Sequence, residues 1–182
     1  MKKSELIENI KNKQHLILAI DGMSASGKST LANELHQLLG GNLFHLDDFF
    51  LPLEKRTKER LEEPGGNVDY ERFLEEVLIP ISKQETVYYR RFDCSTMTLQ
   101  KASVINYSSI NIIEGSYAMH PIFTKYYTDC VVLYVSPQTQ LQRLKVRSPN
   151  QLDMFVHRWI PLENQYFKYY QIYQKYPYIK MD

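Results

Sequence analysis

The chain has 182 residues, and its 22 Lys and Arg against 21 Asp and Glu give a formal net charge of +1 at pH 7. This length is enough to bury a sizeable core and predicts one domain, spanning residues 1–182. The near balance of charge leaves no field that would gather a polyanion, which disfavours nucleic acid and anionic membranes as partners.

The cysteine content and the N-terminal segment predict a cytoplasmic protein. Cys94 and Cys130 are too few for a disulfide framework and show no metal-ligand spacing, so we interpret both as reduced thiols. Residues 1–14 carry positive charges without an apolar core, and the apolar run 16–20 is too short to cross a bilayer. We therefore expect no membrane association.

The first elements are a helix, a strand and a second helix. Apolar residues between charges predict a short amphipathic helix over 6–10. The apolar run 16–20 predicts a strand. Leucines at helical spacing over 31–39, stopped by Gly40 and Gly41, predict the next helix.

The next segments are a strand, a loop and a helix. Residues 42–50, NLFHLDDFF, predict a second strand that carries two aspartates at its end. The charged segment 51–66, bounded by prolines and glycines, predicts an exposed loop. A helix is predicted over 67–81, with Asn67 or Asp69 as its cap.

Further strands follow before the last helices. Alternating β-rich residues predict a strand over 86–93, and mainly apolar runs predict buried strands over 110–113 and 129–136. Apolar strands separated by helices predict an α/β fold, a parallel sheet with helices on both faces. In such a sheet, ligands bind beyond the carboxyl ends of the strands.

The C-terminal part is helical and aromatic in pattern. A helix is predicted over 137–148, and residues 151–180 are predicted to be helical with a break near Pro161. Six tyrosines lie in this tail: Tyr166, Tyr169, Tyr170, Tyr173, Tyr176 and Tyr178. Tyrosines at helical spacing are more often packing or subunit contacts than a stacking platform, so the tail is also a candidate surface for a homo-oligomer.

The first strand leads into a phosphate-binding motif. Residues 22–29, GMSASGKS, fit G-x-x-x-x-G-K-[ST], with a strand before and a helix after. Glycines allow the tight turn that aims successive N–H groups and the helix N-terminus at a polyphosphate. Lys28 is predicted to reach the outer phosphates of ATP, and the hydroxyl of Ser29 to bind Mg²⁺. The candidate nucleotide-binding residues are Gly22, Ser24, Ala25, Ser26, Gly27, Lys28, Ser29 and Thr30.

Acidic residues follow two of the predicted strands. Asp47 and Asp48 end the second strand, where one of them could accept the proton of a hydroxyl or bind Mg²⁺ through water; a capping pair is the alternative. Glu114 ends the strand 110–113, the position of a Walker-B carboxylate, with a surface-turn glutamate as the alternative.

Arginines on the helix 137–148 are candidates for neutralising charge during phosphoryl transfer. Arg143 and Arg147 are spaced i and i+4 and share one face, and Arg158 belongs to the same pool. The base-recognition signature N-K-x-D is absent from the chain, which disfavours a GTPase switch.

Together these motifs resemble the uridine kinase and phosphoribulokinase group of P-loop kinases, which includes nicotinamide riboside kinase. The matching pieces, over roughly 16–147, are DGMSASGKST, LDDFF, NVDYERF, TVYYRRFD, NIIEGSYAMHP and QTQLQRLKVR. The resemblance implies that Asp47 is the general base for a 5′-hydroxyl, with Ser29 and Glu114 near the metal. It also implies that Asp69 holds the ribose hydroxyls, although a helix cap remains the alternative for that residue.

The resemblance implies a base-recognition pair and a lid as well. Tyr88 matches the tyrosine that reads the base in uridine kinases, whereas Asp93 stands where they have a histidine. An aspartate there would suit a cationic ring such as nicotinamide, or could accept a hydrogen bond from an amino group. Arg143 and Arg147 match the lid arginines, and the lid and C-terminal helices cover about 143–182.

The sequence thus predicts an ATP- and Mg²⁺-dependent kinase that phosphorylates the 5′-hydroxyl of a nucleoside, with uridine or cytidine as the first choice. A kinase for another hydroxylated metabolite, such as nicotinamide riboside, and a non-catalytic ATP-binding regulator are the alternatives. The acceptor, the preference for ATP over GTP and the oligomeric state are left open.

Overall fold

A computed structural model describes all residues, 1–182. The strands are β1 (Leu16–Gly22), β2 (Asn42–His45), β3 (Val87–Tyr89), β4 (Phe92–Asp93), β5 (Thr98–Leu99), β6 (Ser103–Ile105), β7 (Ile110–Glu114), β8 (Asp129–Tyr134) and β9 (Tyr178–Lys180). The helices are α1 (Lys3–Ile10), α2 (Lys28–Leu39), α3 (Lys58–Glu62), α4 (Tyr70–Phe73), α5 (Ile79–Ser82), α6 (Pro137–Arg147), α7 (Leu152–Met154), α8 (Ile160–Tyr169) and α9 (Ile172–Lys175).

A five-stranded sheet in the order β2-β7-β1-β8-β9 forms the centre of the fold. Every pair in it is parallel, and β1 lies between β7 and β8, with Leu18 opposite Ile112 on one side and Asp129 on the other. Helices cover both faces, which confirms the predicted α/β class. The carboxyl ends of β1, β2 and β7 therefore meet at one edge of the sheet.

Strand β1 is buried on both faces, as its uninterrupted apolar run predicts. Leu18 and Ile20 pack with α1 and α2 in one cluster of buried residues. Ile17 and Ala19 face a larger, aromatic cluster on the other side of the sheet. The sheet is thus the middle layer of three, and α1 lies on a face of the sheet.

The segment between β2 and α4 is more ordered than the sequence predicts. β2 ends at His45, and the two aspartates lie in a 3₁₀ turn, Leu46–Phe49, rather than in the strand. The predicted exposed loop contains the short helix α3, and an antiparallel bridge between Phe50 and Val68 joins the residues that flank its two ends. The next helix starts at Tyr70 with Asp69, one of the two predicted caps, as its N-cap, and it runs through a π turn into α5.

The C-terminal prediction is correct at its start and wrong at its end. The chain is helical from α7 to α8, and a π turn at Phe155–Trp159 lies just before Pro161, which has no N–H to donate. Residues 178–180 form β9, which pairs with β8, instead of a helix. The tyrosines of the tail differ in burial, since Tyr166 is fully buried whereas Tyr169 is 68% exposed. No helix of the chain combines the length and the apolar character needed to cross a membrane.

Candidate active site

The phosphate loop joins β1 to α2 at the edge of the sheet where the strands end. Gly22 has no room for a side chain, because a Cβ there would lie 2.7 Å from the carbonyl oxygen of Leu133. Ala25 and Gly27 have φ angles of 59° and 97°, which reverse the chain so that α2 begins at Lys28. The loop therefore turns its backbone N–H groups and a helix N-terminus toward one point.

A cavity of about 360 Å³ lies over this loop. Its polar lining includes Lys28, Ser29, Asp47, Arg147 and Glu163. The cavity brings together residues from the loop, the turn after β2 and the C-terminal helices. It is large enough for a small organic molecule next to a phosphate group.

Lys28 is held across the mouth of the loop. Its Nζ atom donates to the carbonyl oxygen of Met23 at 3.1 Å and to Oγ of Ser116 at 3.3 Å. Ser116 follows β7, so the ammonium group connects the ends of two neighbouring strands.

Ser29 and Glu114 form a pair that fits Mg²⁺. Ser29 Oγ donates to Glu114 Oε1 at 3.2 Å, and Nδ1 of His45 lies 2.6 Å from the same oxygen. The hydrogen bond to Glu114 raises the pKa of His45 above its usual range. No three His, Cys, Asp or Glu side chains are grouped to hold a metal by themselves. Mg²⁺ commonly takes one or two protein oxygens and completes its shell with phosphates and water, so a hydroxyl and a carboxylate suit it.

Asp47 and Asp48 have different surroundings although they are adjacent. Asp48 is engaged, since it accepts from the hydroxyl of Tyr89 at 2.7 Å and from Nε of Arg91 at 3.0 Å. Asp47 lines the cavity and is open to solvent through it. The surrounding protein raises the pKa of the Asp47 carboxyl by partial desolvation; the Lys28 ammonium opposes that rise.

Asp69, the candidate for binding ribose hydroxyls, is occupied by the protein. Its carboxylate accepts from Nζ of Lys55 at 3.0 and 3.1 Å and caps α4 by accepting from the N–H of Arg72. Its side chain is only 1% exposed. In this segment, Asn67 and Val68 line the cavity in place of Asp69.

The two candidate base-reading residues lie outside the cavity. Tyr88 is 62% exposed, on the outer face of β3. Asp93 accepts hydrogen bonds from Ser95 in the turn after β4. In each case the next residue is the one at the site. Tyr89 points inward and donates its hydroxyl to Asp48, and Cys94 lines the cavity.

The two candidate lid arginines differ in their contacts. Arg147 lines the cavity, with its guanidinium 5.6 Å from the ring of Phe155. Arg143 donates to the carbonyl oxygen of Ala25 at 3.2 Å and also to that of Met181. Both line a second cavity of about 330 Å³ beside Gly27 and Thr30. Arg158 lies in neither cavity.

Residues of the C-terminal helices contribute a wall that sequence reasoning missed. Phe155, Trp159 and Glu163 are spaced i, i+4 and i+8, so they share one helix face, and all three line the cavity. That spacing is the sequence pattern from which a shared helix face could have been predicted. Glu163 is buried, at 3% exposure, and accepts from the N–H of Ser24 at 3.0 Å.

With the fold and the geometry of the loop described, the chain can be compared with known proteins. No protein-family model matches the chain, and no curated protein sequence matches it. Among solved structures, a possible uridine kinase from Bacillus stearothermophilus has a TM-score of 0.72 at 24% identity, over 98% of this chain and 94% of that chain. A Silicibacter protein provisionally described as a fructose transport system kinase has a TM-score of 0.63 at 24% identity, over 81% of this chain and 79% of that one. These similarities show that the chain shares the fold of both structures, a parallel sheet with helices on both faces.

Proposed function

We propose that the protein is an ATP-dependent kinase that transfers the γ-phosphoryl group to the 5′-hydroxyl of a nucleoside, with uridine and cytidine as the first candidates. The observation that carries this proposal is Asp47. It faces a cavity shared with Lys28 and the Ser29–Glu114 pair, whereas the neighbouring Asp48 is bound to other side chains.

The donor is held by the phosphate loop in this proposal. The backbone N–H groups and Lys28 bind the phosphates of ATP, and Ser29 with Glu114 holds Mg²⁺. When bound, Mg²⁺ supplies positive charge that offsets the charge developing on the transferred group. The position of Lys28 supports this role, because hydrogen bonds to Met23 and Ser116 hold its ammonium group at the cavity.

Asp47 takes the proton of the acceptor hydroxyl in this mechanism. Its carboxylate lies in the same cavity as Lys28, and partial desolvation raises its pKa, which makes it a better base than an exposed aspartate. Arg147 lines the cavity and steadies the negative charge that builds up on the phosphoryl group. A nucleotide-binding regulator would have no need of such a base.

The lining of the cavity supports a flat acceptor with hydroxyl groups. Phe50 and Trp159 lie with ring centroids 5.8 Å apart and, with Phe155, give apolar walls for a planar ring. Asn67 and Gln151 offer amides that could bond the edge of a base or a sugar. Asp93, the residue that would favour nicotinamide riboside, does not line this cavity and accepts from Ser95 instead, so the uncharged nucleosides remain first.

The test is phosphoryl transfer from Mg–ATP to uridine, cytidine, adenosine, guanosine and nicotinamide riboside. Asp47→Asn should lower turnover about 10²-fold or more, since general base catalysis contributes about 10²–10⁴-fold, while ATP affinity changes less than about threefold. Asp48→Asn is the matched control and should cost far less. Equal loss of turnover and ATP binding in Asp47→Asn would contradict the base assignment, and turnover of no acceptor would contradict the proposed function.

A further inference from the structure

The turn Ser24–Ala25 of the phosphate loop has an unusual backbone. Ala25 has a φ angle of 59°, in the left-handed region that side-chain-bearing residues rarely adopt. A residue in that conformation persists only where surrounding contacts hold it. The contacts that hold this turn come from far along the chain.

Three side chains of the C-terminal helices grip the polar groups of the turn. Gln140 Nε2 donates to the carbonyl oxygen of Ser24 at 3.0 Å, and Arg143 Nη1 donates to that of Ala25 at 3.2 Å. Glu163 accepts from the N–H of Ser24 at 3.0 Å and also from its hydroxyl. We call Gln140, Arg143 and Glu163 the loop clasp. Gln140 and Glu163 are 2% and 3% exposed, so these hydrogen bonds are shielded from water.

Glu163 also connects the clasp to Lys28. Oγ of Ser116 lies 3.1 Å from a Glu163 carboxylate oxygen and accepts from Nζ of Lys28 at 3.3 Å. The carboxylate is thus surrounded by three donors of the protein: the N–H and hydroxyl of Ser24 and the hydroxyl of Ser116. A carboxylate so engaged acts through the groups that it holds.

We propose that Glu163 is a positioning residue for the donor phosphates, which fixes the Ser24–Ala25 turn and the reach of Lys28. This inference rests on the proposed function for its ligand, Mg–ATP. With the turn fixed beforehand, the loop N–H groups are aimed at the phosphates without an ordering cost on binding. Gln140 and Arg143 share the task by holding the two carbonyl groups of the turn.

Two other roles for Glu163 make different predictions. If Glu163 only anchors α8, its loss lowers stability and leaves nucleotide affinity unchanged. If its carboxylate instead competes with phosphate for the Ser24 N–H, its loss makes nucleotide bind more tightly. The sign and size of the affinity change therefore separate the three roles.

The experiment measures Mg–ATP affinity by calorimetry without any acceptor, for wild type, Glu163→Gln and Asn164→Ala. Asn164 is the next residue on α8 and is exposed, so its variant is the matched control. We expect Glu163→Gln to weaken ATP binding about tenfold, because the neutral amide keeps only one acceptor oxygen and loses the charge that strengthens these hydrogen bonds. The control should stay within about twofold. The KM for the acceptor should change less than the KM for ATP.

Ser24→Ala is the second variant, for the case that Glu163→Gln does not fold. It removes one hydrogen bond of Glu163 and keeps the N–H, so it should weaken ATP binding in the same direction by a smaller factor. Unchanged or tighter ATP binding in the folded variants overturns the inference, and so does a wild type that does not bind Mg–ATP. Normal ATP binding without phosphorylation of any acceptor counts against the proposed function alone.

Discussion

Asp47 and Asp48 have different surroundings because a 3₁₀ turn aims neighbouring side chains in different directions. With three residues per turn, adjacent side chains lie about 120° apart. In the turn Leu46–Phe49 this sends Asp48 toward Tyr89 and Arg91 and Asp47 toward the cavity. The sequence shows two equal aspartates, and the resemblance to uridine kinases was needed to choose between them.

The acid side of the pH profile should report the surroundings of Asp47. Desolvation raises its pKa above the ordinary 3.8, Lys28 and His45 lower it, and Glu114 and Glu163 raise it. A base works when deprotonated, so kcat/KM should fall as the pH drops through this raised pKa. The fall in kcat/KM should therefore occur at a higher pH than an ordinary aspartate would give.

Glu163→Gln tests whether the acid limb of kcat/KM belongs to Asp47. Removal of one negative charge that faces Asp47 should move the acid limb of kcat/KM to lower pH, in addition to any loss of rate. The profile is measured from about pH 4.5 to 8, with Asn164→Ala as control. A limb that moves to higher pH would contradict the assignment of that limb to Asp47.

At the scale of elements, Asp21 at the end of β1 connects three parts of the fold. It is fully buried, and its carboxylate accepts four hydrogen bonds: from the N–H groups of Gly22, Tyr117 and Met119 and from the hydroxyl of Tyr166. Burial raises its pKa to about 6, and these donors oppose that rise. At pH 7.5 the ionised form is therefore favoured, and it ties β1 to the segment after β7 and to α8.

Asp21→Asn should be strongly destabilising. The amide places an NH₂ group against protein donors and leaves some of them unpaired, which should lower the free energy of unfolding by about 2–4 kcal/mol. Urea unfolding at pH 7.5 measures this. Asp129→Asn, which loses only a partly exposed pair with Lys13, should cost less than about 1 kcal/mol. Equal effects would mean that the Asp21 hydrogen bonds contribute little.

The elements that the sequence predicts well are those that local pattern determines. The apolar runs of β1, β7 and β8 are buried on both faces, so each had to be a central strand. β9 has only three residues, and its state is decided by pairing with β8. The segment 51–66 was predicted to be an exposed loop because its charges were visible, whereas the bridge between the residues that flank it was not.

The candidate site shows the same limit. The phosphate loop is a local motif, so the residues of 22–30 could be predicted from spacing alone. Tyr88 and Tyr89 lie on opposite faces of a strand of three residues, where a shift by one position exchanges inside for outside. Glu163 is 139 positions from Ser24 along the chain, and no local sequence pattern predicts that contact.

For the whole molecule, the phosphate loop connects the two ends of the chain. Ser24 and Ala25 of the N-terminal part are bonded by Gln140, Arg143 and Glu163 of the C-terminal part. A ligand that binds the loop in its folded shape therefore stabilises the complete fold rather than one segment. Such linkage adds about 2.7 kcal/mol to stability at a ligand concentration of 100 times Kd.

Thermal unfolding should consequently separate donor binding from catalysis. At that saturation Mg–ATP should raise the Tm of the wild type by about 5–10 °C, given about 2–4 °C per kcal/mol for a chain of this size. Asp47→Asn should keep the full shift, because the proposed mechanism assigns Asp47 to the acceptor. Lys28→Ala should lose most of it, because the same mechanism assigns Lys28 to the phosphates of ATP. Loss of the shift in both variants would mean that Asp47 serves the donor. The proton acceptor would then have to be sought outside the cavity lining, because the other carboxylate there, Glu163, is held by Ser24 and Ser116.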